Sequence, residues 1–265
     1  MIILTNGDSW TQGDHPAQDI NWEAEKNIEW YDVPIDFGNK EYTPDPKLSK
    51  KFYDSEVWPK VLGRQLYNLN SKIKVVNGGR LGSSNSSICR RTVNLFKDIR
   101  TSTDEPIFAI IGWSSKYRND IFTRQTQADG TPVFYRDQLR PSKWKQDYVH
   151  DLTERSFTED FILNVLFLQN FFYINSIDYL FFNCFDYIRE EAYLESFIDK
   201  SKWVDNTYNV AHFEKYILKQ TNCDWSSENE YFITGHPRDN AHTLWGNFLT
   251  DYIKKNYEFY KVNYI

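Results

Sequence analysis

Cysteine is scarce in this chain. Only Cys89, Cys184 and Cys223 occur in 265 residues. Three widely separated thiols supply neither a disulfide framework nor the close spacing of a metal site, and they suit a reducing compartment better than an oxidising one. No metal and no cofactor is expected. Long apolar runs are missing as well. The longest, around Val165 to Ile177, is broken by Gln169, Asn170 and Asn175 and falls short of the roughly 20 residues that a spanning helix needs. The apolar residues Ile2, Ile3 and Leu4 are expected to form the first strand, with no targeting segment ahead of it. The expectation is a cytoplasmic or virion-associated protein, of the kind a phage could carry, with no membrane partner. Basic runs with interleaved aromatics are absent too. Lys+Arg number 31 against Asp+Glu 37, a formal net charge of -6, which speaks against nucleic acid as a partner. There is no repeat or low-complexity tract from which to infer an array, and nothing in the sequence sets the oligomeric state.

Aromatic residues, by contrast, make up 17% of the chain and include nine Trp. Several, such as Trp22, Trp30, Tyr31, Trp144 and Trp203, stand in polar stretches. They read either as stacking surfaces for sugars or as buried anchors beneath long loops. A chain of this length can bury about 70 to 75% of its unfolded surface, enough for one α/β domain with insertions. Short apolar strands alternate with helical periodicity: Ile2 to Leu4, a helix from about Ser55 to Leu69, Ile73 to Asn77, a helix through about Ile99, and Ile107 to Ile111. Phe161 to Ile174 then reads as a helix, Asp178 to Cys184 and Tyr231 to Ile233 as strands, and residues through Ile253 as a last amphipathic helix. That alternation implies a parallel sheet in a single domain over 1–265. Insertions are expected at about 11–54, 116–157 and 185–229, the second holding Val133 to Tyr135 as a hairpin strand.

Four junctions carry the chemistry. The first strand runs through Thr5-Asn6 into Gly7-Asp8-Ser9, where a glycine permits a close approach and a serine stands at the carboxyl end of a strand, the edge at which α/β sheets bind ligands. Ser9 is therefore the candidate nucleophile, although Gly-Asp-Ser also reads as an ordinary turn followed by a helix cap. The second strand ends in Gly78-Gly79-Arg80-Leu81-Gly82-Ser83-Ser84, whose glycines allow main-chain amides to face a ligand, with Ser84 or Asn85 capping the next helix. The third ends in Gly112-Trp113-Ser114-Ser115. Ahead of the last helix stands Gly235-His236-Pro237-Arg238-Asp239-Asn240-Ala241-His242.

The order of these four blocks resembles that of the SGNH/GDSL hydrolases, a superfamily of esterases, lipases and carbohydrate deacetylases. The resemblance implies a three-layer α/β/α fold with a five-stranded parallel, flavodoxin-like sheet, and a serine hydrolase acting on a small-molecule or glycan ester. It places Ser9 as nucleophile and as one oxyanion amide, Gly82 as the second amide, and Ser114 where the family carries an Asn side-chain donor. His236 occupies the position of the family's base, but Ile233 stands where the family's acid would be, three residues earlier. Asp239 and His242 have the Asp-x-x-His spacing and would share a helix face, so they form the alternative acid and base.

Overall fold

The computed structural model describes residues 1–12, 56–79, 83–118, 120–126, 132–138, 154–185, 188, 192–224, 227–233 and 235–258. The expected insertion at 11–54, with Trp22, Trp30 and Tyr31, lies almost wholly outside them, as does Trp144.

Four parallel strands form the centre. β1 (Ile2–Asn6) pairs with β2 (Lys74–Asn77) on one side and β3 (Ile107–Trp113) on the other, and β6 (Asp178–Asn183) pairs with β3. The order across the sheet is β2-β1-β3-β6. β1 and β3 are buried at every position, which is why Ile2 to Leu4 and Ile107 to Ile111 read as continuous apolar runs rather than alternating ones. Successive side chains point to opposite faces. Ile2, Leu4, Ala109 and Ile111 meet α3 (Asn85–Ser102) and α4 (Glu154–Ile174) through residues such as Leu95 and Val165. Ile3, Phe108, Ile110 and Phe182 meet α2 (Trp58–Leu69), α6 (His212–Thr221) and α7 (Asp239–Asn256) through residues such as Leu62 and Trp245.

The helices start where the sequence chemistry permits. Pro59 lies in the first turn of α2, where a missing N–H is harmless. The Ser84 side chain accepts from Ser87 N at 3.1 Å and caps α3. Trp203 is a buried anchor, stacked on His212 and edge-on to Phe181; it is not a surface for sugars. The expected strand around residues 133–135 is β5 (Pro132–Gln138), antiparallel to β4 (Asp120–Thr126).

Tyr231 to Ile233 corrects the expectation of a fifth parallel strand. Phe232 and Ile233 form β7, which pairs antiparallel with β8 (His236–Pro237) in a separate two-stranded sheet. The cause lies at Gly235, which takes φ 75°, a left-handed conformation open to glycine that lets the chain reverse. The hairpin continues through Arg238 N to Tyr231 O at 2.7 Å. Among the described residues no helix is long and apolar enough to cross a membrane.

Candidate active site

The carboxyl ends of β1, β2 and β3 converge. Beyond β1 the chain turns at Gly7 and enters α1 (Ser9–Gln12). The turn is held by Asp8, which is fully buried. One of its carboxylate oxygens, Oδ1, accepts from Trp10 N at 3.0 Å; the other, Oδ2, accepts from Ser114 Oγ at 2.7 Å and from Arg118 Nη1 at 3.2 Å. A buried carboxylate with three donors, one of them cationic, has its charge compensated. Ser9 opens α1, its side chain lying outside the described part of the structure. A Cβ on Gly7 would run into the Thr11 side chain and stand 2.7 Å from Gly112 O, so the glycine is dictated by the close approach of α1 and the β3 end.

The loops around the turn are tied to it by carboxamides. Asn6 Oδ1 accepts from Gly7 N at 2.8 Å and from Arg91 Nε at 3.3 Å, while its Nδ2 donates to Ile88 O and Thr92 Oγ1. Arg91 Nη2 also donates to Ser83 Oγ at 2.6 Å, joining the turn after β1 to the residue after Gly82. Gly82 itself lies outside the described residues. Asn77 Nδ2 donates to Thr11 O at 3.1 Å and its Oδ1 accepts from Gly79 N at 3.0 Å. Asn85 spans two strand ends' loops, accepting from Ser114 N and donating to Ser115 O, both at 3.0 Å. None of these residues was singled out from sequence for this work except Asn85, as a helix cap.

The expected oxyanion donor Ser114 is buried, and its hydroxyl donates to Asp8 rather than standing open toward Ser9. His236 is half-buried on β8, and β8 packs against both α1 and α7. His242 is fully buried on α7, where its Nδ1 accepts from Trp58 N at 3.4 Å and its ring meets Phe213 edge-on. Asp239 is exposed in the first turn of the same helix. The shared face expected for Asp239 and His242 is therefore divided, one residue in solvent and the other in the core. Cys184 is buried beside Asp8 and Thr11, and burial pushes its thiol well above the usual range, so it is no thiolate nucleophile. Among the described residues no group of three or more His, Cys, Asp or Glu could hold a metal ion.

The chain belongs to the family of unknown function DUF6071, whose model matches residues 38–207. No curated protein matches it in sequence. In overall course it is similar to solved G-D-S-L and acetylxylan esterase structures. A lipase/acylhydrolase from Enterococcus faecalis is 12% identical, with 96% of this chain and 95% of that one covered and a TM-score of 0.41. An acetylxylan esterase from Geobacillus stearothermophilus is 11% identical, with 98% and 95% covered and a TM-score of 0.39. A member of the lipolytic G-D-S-L family from Veillonella parvula is 10% identical, with 96% and 99% covered and a TM-score of 0.36.

Proposed function

We propose that the protein is a serine hydrolase of carboxylic esters that removes a small acyl group, such as O-acetyl, from a carbohydrate on a three-layer α/β/α scaffold. The observation that supports this most is the packing of β8, with His236, against α1, which Ser9 opens. The two elements in contact carry the residues that the family resemblance nominates as base and nucleophile. In this reading the Ser9 hydroxyl attacks the acyl carbon and gives its proton to His236. The Ser9 and Gly82 amides hold the tetrahedral oxyanion. The leaving alkoxide takes the proton from His236, and water later releases the acyl group by the same route. Ser114 contributes through Asp8, as a positioning group. With Ile233 in the acid's place, a backbone carbonyl or Thr234 orients the His236 ring.

Stoichiometric labelling by a fluorophosphonate, lost in Ser9→Ala, tests the nucleophile. Turnover of p-nitrophenyl acetate should vanish in His236→Ala, whereas His242→Ala should lower stability more than rate, because its ring fills the core. The reverse pattern would move the base to His242 and its acid to Asp239. Commitment of Ser114 to Asp8, together with the apolar Ile233, favours a second reading in which the fold is kept for binding with little catalysis. Absence of any Ser9 label would select it.

A further inference from the structure

We propose that Arg118 receives a carboxylate of the substrate, so that the site prefers anionic esters to neutral ones. This rests on the ester-hydrolase reading and names the substrate class of that site. Arg118 follows β3 in a tight turn closed by its own N–H to Ser115 O at 3.0 Å. Its guanidinium is held from two sides. Nη1 donates to Asp8 Oδ2, and its central carbon lies 5.3 Å from the centre of the Phe185 ring. Phe185 in turn packs on Trp10, ring centres 4.9 Å apart. The cation thus bridges from the residue before Ser9 to a ring packed on the residue after it.

A guanidinium has five N–H donors. Only one is engaged by Asp8, and among the described residues no acceptor meets the others. The side chain is 29% exposed while Asp8 is sealed, so the unused donors border solvent and not the core. Asp8 has two further donors, Trp10 N–H and Ser114 O–H, and does not need the whole cation for its compensation. What remains is a planar fork, fixed in place before any ligand arrives and shaped for bidentate pairing with a carboxylate. Because ordering is largely complete, little side-chain entropy is lost on binding.

Calorimetric titration of the whole protein with 4-hydroxybenzoate and with 4-hydroxybenzamide reads this without catalysis, and hydrolysis of the matching 4-acetoxy esters reads it with catalysis. The acid should bind about tenfold or more tightly than the amide. Rising salt should shrink that preference, since the guanidinium is partly exposed. R118Q should abolish it. Equal binding of acid and amide, or a preference that survives R118Q, would overturn the proposal. If R118Q does not fold, R118K decides, because lysine keeps the charge and loses the fork: a reduced preference supports the proposal and an unchanged one overturns it. A binding preference with no turnover of either ester supports the anion site and overturns the hydrolase reading. Turnover of both esters without preference does the opposite.

Discussion

Asparagine terminates three of the four parallel strands, as Asn6, Asn77 and Asn183. Each carboxamide donates to main-chain oxygens of the loops and helices that pack on the strand end. Asn183 donates to Tyr208 O at 2.7 Å and Val210 O at 3.0 Å, while its own N–H donates to His212 Nδ1 at 3.1 Å. His212 therefore carries its proton on Nε2, which meets Val204 O at 3.0 Å. Burial lowers the His212 pKa to about 4, against roughly 6.5 for a free imidazole. The unfolded chain takes up this proton more readily, so the stability contributed by neutral His212 is complete above about pH 6.5 and is lost as the pH falls toward 4, about 3 kcal/mol in total. Urea unfolding at pH 7 and 4.5 should show that loss, with a shallower pH dependence in His212→Gln. Asn6→Ala should cost about 2 to 3 kcal/mol in the same experiment at pH 7, since it strands the buried Gly7 N–H and its partners on α3. From sequence, an asparagine after an apolar run reads as a turn former. Its actual partners, Ile88, Arg91 and Thr92, stand some eighty residues away, beyond the reach of any local pattern.

The elements with one dominant period were legible, and those decided by contact were not. α2, α3, β3 and β6 lie where periodicity puts them, because each buries a face or a whole strand. α4 begins at Glu154 rather than Phe161, its first turns lacking the dense apolar signal of the rest. The Tyr231 to Ile233 strand was legible as a strand but not as a hairpin, for apolar content does not specify a partner; the signal was Gly235. The site divides the same way. Its blocks were visible in order, but Asp8 had no pattern to mark it as the hub for Ser114 and Arg118, which are more than a hundred residues distant. Gly7→Ala tests the crowding at this hub. Its methyl group would meet the backbone oxygen of Gly112, which cannot swing aside, so a loss of about 1 to 3 kcal/mol is expected on thermal unfolding. Removing the hydroxyl of the other neighbour with Thr11→Ala should not fully restore it, because the Gly112 oxygen stays in place.

At the scale of the molecule, the sheet sends its first strand to the middle. β1 is flanked by β2 and β3, with registers starting at Lys74 and Ile107. Contacts so distant in sequence slow folding, and refolding from urea should take milliseconds to seconds, not microseconds. The same arrangement has a consequence during synthesis. β1 leaves the ribosome ahead of the other strands of its sheet and has no neighbour on one edge until β2 emerges, nor on the other until β3 does. At about 5 to 20 residues per second, β1 waits about 5 to 20 s for its second flank. Throughout that interval a nascent chain displays an unpaired hydrophobic edge, and polysomes translating this message bring several such edges close together. The segment that leads into the Asp8 turn is thus the one most in need of a chaperone's shelter.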